Sequence, residues 1–183
     1  MSEEKSGSLK IENIVASGSI AKSIVLEMIS TSVENCELNN KKFPGAILRI
    51  ANPKITVLVF SSGKVVMTGI KSQEEFALGL DILIKKMKEV GVICYDTPDV
   101  IVTNMVCSYD MGNKINLNKV VMTLSFESIE YEPEQFPGLV YRIPDPKIVA
   151  LLFSSGKIIL TGGKTMDDIQ KGLAYLEQKI SSI

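Results

Sequence analysis

The octapeptide Phe43-Pro44-Gly45-Ala46-Ile47-Leu48-Arg49-Ile50 returns 93 residues later as Phe136-Pro137-Gly138-Leu139-Val140-Tyr141-Arg142-Ile143. At the same offset Phe60-Ser61-Ser62-Gly63-Lys64 matches Phe153-Ser154-Ser155-Gly156-Lys157, and Thr68-Gly69 matches Thr161-Gly162. Of the 48 aligned pairs from Phe43/Phe136 to Val90/Ile183, 21 are identical. Upstream the offset falls to 91, where Asn13-Ile14-Val15-Ala16-Ser17 matches Asn104-Met105-Val106-Cys107-Ser108. A unit this long, present twice, is a duplicated domain-sized module; solenoid repeats run about 20–50 residues. Four segments result: a short polar N-terminus (1–8), a first repeat (9–91), a linker (92–100) and a second repeat (101–183).

Within each copy the pattern alternates short apolar runs with turn chemistry. Leu9 to Ala16 reads as a strand, and Ser19 as the cap of a short helix carrying Ile20, Ile24 and Met28. Val33 to Leu38, Ala46 to Ile50, Ile55 to Phe60 and Val65 to Ile70 read as strands. They are separated by Phe-Pro-Gly, Asn-Pro-Lys and Ser-Ser-Gly-Lys turns. Ser72-Gln73-Glu74-Glu75 is a capping box that opens a long helix. Its stripe of Phe76, Leu80, Leu83, Met87 and Val90 recurs as Ile169, Leu173, Leu176, Ile180 and Ile183. The fold class is α+β, a β-α-β4-α unit used twice, giving ten strands and four helices.

The strands are apolar on both faces. Thr56, Leu58 and Phe60 lie on one face of their strand, and Ile55, Val57 and Val59 on the other. Two helices per copy cover one face of a five-stranded sheet. An antiparallel sheet with a solvated face alternates apolar and polar residues, so the second face either meets another sheet or copy or is an apolar binding surface.

Composition narrows the function. The 183 residues carry 20 Lys+Arg and 21 Asp+Glu, a formal charge of −1. That total conceals segregation. Lys41 to Lys71 and Phe136 to Lys164 together hold ten cations and one acid, and the remainder holds ten cations and 20 acids. Two matched basic blocks around an apolar face suit DNA gripped by its minor groove. There is no histidine, which excludes imidazole acid–base chemistry. The scattered Cys36, Cys94 and Cys107 give neither a disulfide framework nor a zinc site. Ser-Ser-Gly-Lys lacks the first glycine of a phosphate-binding loop, and Val65 and Ile158 follow its lysines, so nucleotide hydrolysis is rejected. No enzyme, metal or cofactor is expected. The N-terminus lacks the apolar region of a signal peptide, and no run is long enough to span a membrane. A cytoplasmic, nucleoid-associated protein is the expectation.

These residues resemble the TATA-box-binding protein family over residues 9 to 183, most nearly its archaeal members. The resemblance rests on Asn13-Ile14-Val15, Phe43, Arg49, Phe60-Ser61-Ser62-Gly63-Lys64 and Thr68-Gly69-Ile70-Lys71. In the second copy it rests on Asn104-Met105-Val106, Tyr131-Glu132-Pro133-Glu134, Phe136-Pro137-Gly138, Tyr141-Arg142, Phe153 and Leu160-Thr161-Gly162-Gly163-Lys164. It implies a curved ten-stranded antiparallel saddle with four helices on the convex face. It implies that Phe43, Phe60, Phe136 and Phe153 are wedges entering base steps, and that Asn13, Asn104, Thr68 and Thr161 hydrogen-bond base edges. Val15, Leu58, Val66, Val106, Leu151 and Ile159 would line the groove floor. Arg49, Lys64, Arg142 and Lys157 would meet phosphates.

The partner implied first is double-stranded A·T-rich promoter DNA. The loop before Phe136 (Glu132-Pro133-Glu134-Gln135) is acidic where the matching Asn39-Asn40-Lys41-Lys42 is not. The resemblance makes Glu132 and Glu134 a docking point for transcription factor B, which brings RNA polymerase indirectly. Dimerisation of the free protein through its apolar face stays open, as does a different class of function, capture of a hydrophobic ligand or another protein on that face.

Overall fold

The computed structural model describes residues 7–181 and 183; most of the polar N-terminal segment expected over residues 1–8 lies outside them. Among the described residues there are ten strands and four helices. The chain divides into two compact units, one spanning Asn13–Thr103 and the other Asn104–Ile183 with the residues up to Glu12.

The first unit contains β1 (Lys10–Ala21, from Asn13 onward), α1 (Leu26–Ser32), β2 (Cys36–Leu38), β3 (Ala46–Ile50), β4 (Ile55–Val59), β5 (Lys64–Ile70) and α2 (Gln73–Glu89). Its strands run antiparallel in the order β2-β3-β4-β5-β1. The second unit holds the later part of β6 (Cys94–Asp110), α3 (Leu117–Thr123), β7 (Ile129–Glu130), β8 (Leu139–Ile143), β9 (Ile148–Leu152), β10 (Lys157–Gly163) and α4 (Met166–Ile180). Its order, β6-β10-β9-β8-β7, repeats the first.

Period-2 alternation sorts each strand into a core face and an open face. In β4, Ile55, Val57 and Val59 are 1%, 0% and 0% exposed, whereas Thr56 and Leu58 are only half-buried. The core face meets the long helix. α2 buries Leu83 and Met87, and α4 buries Ile169, Leu173, Leu176 and Ile180. Both helices approach β-strand side chains through a glycine: a Cβ on Gly79 would lie 2.4 Å from Ile55 Cδ1, and one on Gly172 2.9 Å from Ile148 Cγ1. The caps are those the sequence spells. Ser72 Oγ accepts from Glu75 N at 3.1 Å and Thr165 Oγ1 from Asp168 N at 3.1 Å. The returning carboxylate bond lands one residue earlier than a capping box requires, on Lys71 N (2.8 Å).

Two local expectations are corrected. Ser19 opens no helix; β1 continues to Ala21, because Ile20 N donates to Gly63 O (3.0 Å) and Ile24 N to Ser61 O (2.9 Å). Those bonds keep the chain extended until α1 starts at Leu26, and Ile20 and Ile24 are buried from a strand and a loop. The strand expected over Val33 to Leu38 shrinks to Cys36–Leu38, because Val33 ends α1 and Asn35 turns with φ 58°.

Candidate nucleic-acid interface

The open face of each unit is built in cross-strand rows. In the first unit Ile47, Leu58, Val66 and Ser17 are successive register partners across four strands, and beside them run Arg49, Thr56 and Thr68. In the second unit the matching rows are Val140, Leu151, Ile159 and Ser108, then Arg142, Val149, Thr161 and Val106. The expected floor residues Leu58, Val66, Leu151 and Ile159 therefore lie in the rows next to those of the expected base-edge threonines, and Val106 shares the row of Thr161. Val15 faces the same way beside the β1–β5 irregularity and is half-buried. All six are partly exposed, and the fully buried residues between them point to the helices.

The four phenylalanines form two pairs, one per unit. Phe43 meets Phe60 edge-on, with ring centroids 5.6 Å apart at 64°, and Phe136 meets Phe153 at 5.9 Å and 72°. A turn of the same geometry presents the first member of each pair: Phe43 N donates to Asn39 O and Phe136 N to Glu132 O, both at 3.0 Å. The second member follows β4 or β9, and its N–H closes the next hairpin on Lys64 O or Lys157 O. Phe136 remains 39% exposed.

Sequence reasoning missed what makes room for these rings. A Cβ on Gly45 would sit 2.8 Å from Phe43 Cε1, and one on Gly138 would sit 2.7 Å from Phe136 Cε1 and 3.0 Å from Phe153 Cε1. The repeated Phe-Pro-Gly tripeptide carries the signal, because its glycine leaves space for the ring as well as turning the chain.

The asparagines are not loose polar side chains in a strand. Asn13 Oδ1 accepts from Gly69 N at 2.7 Å and Asn104 Oδ1 from Gly162 N at 2.8 Å. Their Nδ2 groups lie 3.2 and 3.3 Å from Thr68 Oγ1 and Thr161 Oγ1. Each unit thus joins its expected base-edge Asn and Thr into one polar group within the apolar rows.

Each unit carries cations on its open face. Lys64 and Lys157 head β5 and β10 at exposed positions. Arg49 pairs with Glu37 (3.4 Å) and Arg142 with Glu130 (2.9 Å), each across a strand pair at the unit's edge. Both arginines are thus held by exposed carboxylates. Glu132 and Glu134 are exposed in the turn that presents Phe136.

No group of three or more His, Cys, Asp or Glu side chains that could hold a metal occurs among the described residues. Burial pushes the Cys36, Cys94 and Cys107 thiols above their usual range, with Glu37 and Glu12 adding to the effect at Cys36 and Cys107. A protonated thiol is a poor nucleophile. Among the described residues no helix is long and apolar enough to cross a membrane.

Fold and surface together define a class: a duplicated α+β protein whose two matched β-faces each combine apolar rows, an Asn–Thr pair and a phenylalanine pair. Residues 8–90 and 99–183 both match the family described as "Transcription factor TFIID (or TATA-binding protein, TBP)". TATA-box-binding protein 2 of Methanosarcina mazei is 44% identical over 176 residues, covering 96% of each chain. The TATA-box-binding protein of Archaeoglobus fulgidus is 45% identical over 175 residues, also covering 96% of each. Among solved structures, Methanococcus jannaschii TBP superposes with a TM-score of 0.87 at 40% identity, covering 96% of this chain and 99% of that one. The chain belongs to the TATA-binding protein family, a family of transcription factors and not of enzymes.

Proposed function

We propose that this chain is an archaeal-type general transcription initiation factor that binds TATA-box promoter DNA in the minor groove and kinks it. The two copies, 9–91 and 101–183 joined by 92–100, each bring an open face to the DNA. The observation that carries the reading is the pair of phenylalanines repeated at the same place on each open face, with rings left partly in solvent over a glycine. A phenyl ring inserted at a base step replaces lost base stacking with apolar contact, as it does in minor-groove wedge proteins, this family included. Pyrimidine–purine steps such as T-A are the easiest to unstack, which favours A·T-rich sites.

The floor of Val15, Leu58, Val66, Val106, Leu151 and Ile159 presses on the groove, where a guanine N2 amino group would meet apolar surface. Asn13, Thr68, Asn104 and Thr161 reach the adenine N3 and thymine O2 acceptors. Lys64, Lys157, Arg49 and Arg142 meet phosphates and set position without reading sequence. For the arginines this means exchanging Glu37 or Glu130 for phosphate, a small step because exposed ion pairs contribute only about 0–1 kcal/mol.

Glu132 and Glu134 would repel phosphate, so they face away from DNA and receive transcription factor B, which brings RNA polymerase. The protein works in the cytoplasm on the nucleoid. Without DNA, the apolar faces are also surfaces for self-association. The test is equilibrium binding to duplexes labelled with a fluorophore pair at their ends: the reading predicts tight binding to A·T-rich duplexes with shortened end-to-end distance, and binding without bending would remove the wedge.

A further inference from the structure

The Asn–Thr pairs carry a direction set by the backbone. On β10, Thr161 pairs with Val106 and Gly163 with Met105, which leaves Gly162 as an extra, unpaired residue. On β5 the register against β1 likewise slips between Ile14 and Ala16, opposite Gly69. Both glycines have positive φ, 89° at Gly69 and 99° at Gly162, the region where residues bearing a Cβ are strained. A glycine bulge frees one N–H from the ladder, and that N–H is the one donated to Asn13 or Asn104 Oδ1.

We infer that the bulge N–H groups of Gly69 and Gly162 lock the Asn13 and Asn104 amides in one orientation, so that both Asn–Thr pairs present only hydrogen-bond donors to DNA. Flipping either amide would set an NH2 against the glycine N–H, donor against donor. With Oδ1 held, Nδ2 donates to Thr68 or Thr161 Oγ1 at 3.2 and 3.3 Å, shorter than the 3.5 Å from each Thr Oγ1 back to Oδ1. In the inferred lock the threonine oxygen accepts from the amide and turns its own proton outward. The second Nδ2 hydrogen points outward too. A·T pairs show only acceptors in the minor groove, whereas G·C adds the guanine N2 donor. A surface locked as donors leaves that amino group without a partner. An unlocked asparagine could turn its oxygen to it. The glycines are thus positioning residues for base discrimination.

The inference rests on the minor-groove reading above, and the experiment separates the two. Wild-type full-length chain and the Asn13→Asp/Asn104→Asp double variant are titrated with an A·T-rich duplex in which each pair in turn becomes inosine·cytosine or guanine·cytosine. Inosine lacks only the N2 amino group. Aspartate keeps the acceptor for the glycine N–H but turns an acceptor to the groove and draws the threonine proton inward. Its added charge weakens all duplexes alike and cancels in the ratio.

Wild type should prefer inosine over guanine at least about tenfold at the contacted pairs, and the double variant should lose most of that preference. An unchanged ratio in the folded variant overturns the lock. In wild type, a scalar coupling across the hydrogen bond from Gly162 15N to Asn104 13Cγ should be detectable in the free protein; its absence overturns the lock without any substitution. A wild type with no preference for A·T-rich over G·C-rich duplexes would instead reject the minor-groove reading.

Discussion

Phe136 stands edge-on to Phe153, their ring centroids 5.9 Å apart, with Gly138 beneath both rings. Two aromatic rings in this geometry gain about 0.5–1.5 kcal/mol beyond area burial, yet Phe136 keeps 39% of its surface in solvent. The pair is pre-set as a unit, so the proposed entry of Phe136 into a base step would need little reorganisation. Replacing both by alanine should lower DNA affinity and bending while the protein stays folded, because the rings lie outside the core. Near-normal bending by a folded Phe136→Ala/Phe153→Ala variant, read by energy transfer between duplex ends, would sink the wedge role.

Gly138 itself gives a second prediction. A Cβ there would lie 2.7 Å from Phe136 Cε1, so Gly138→Ala must displace one or both rings. The protein should fold, with bending reduced toward that of the double alanine variant. Full bending with unchanged affinity would show that ring placement is not set by this glycine.

The Arg49–Glu37 and Arg142–Glu130 pairs are exposed. Glu37→Gln with Glu130→Gln should change stability by less than about 1 kcal/mol. It should also raise DNA affinity several-fold, because the guanidinium groups then reach phosphate without giving up a carboxylate. Unchanged affinity at low salt would mean that the arginines do not meet phosphate.

Glu132→Arg with Glu134→Arg should spare DNA binding and impair recruitment of transcription factor B to the DNA complex. Both side chains are exposed, so unfolding is no explanation for a loss. A gel-shift assay that forms the ternary complex at the wild-type concentration would remove this role.

Tyr141 tests the core. Its ring is fully buried against Tyr175 at 6.4 Å, and its hydroxyl has no partner at hydrogen-bonding geometry among the described residues. Burial, reinforced by nearby Tyr175 and Glu127, holds its phenol far above the usual range. A buried hydroxyl without a bond costs about 1–3 kcal/mol, so Tyr141→Phe should leave the urea midpoint unchanged or raise it. A clear drop would reveal a bond that the static geometry lacks.

The repeat made most of the fold legible. Matching Phe43 through Val90 to Phe136 through Ile183 places the same strands, turns and long helix in both units, and the period-2 pattern of Ile55 to Phe60 separates the core face from the open one. What was not legible is governed by bonds between residues far apart in sequence. The helical spacing of Ile20, Ile24 and Met28 is real, but Ile20 is held extended by Gly63 O. Asparagine is a poor strand former, so Asn13 and Asn104 are conspicuous within β1 and β6, whereas their bond to a bulge glycine 56 or 58 residues away has no local signature. The arginines looked free for phosphate because Glu37 and Glu130 become their neighbours only when β2 and β7 pair with β3 and β8.

Open faces that read A·T-rich minor grooves, as proposed, would neutralise phosphates as they do so. The most direct test is the dissociation constant for A·T-rich and G·C-rich duplexes of equal length across a series of salt concentrations. Tighter binding to the A·T-rich duplex is expected at every salt, with log affinity falling linearly against log salt at about 0.9 per phosphate neutralised. Equal affinity for the two duplexes, or affinity that does not respond to salt, would contradict the proposal.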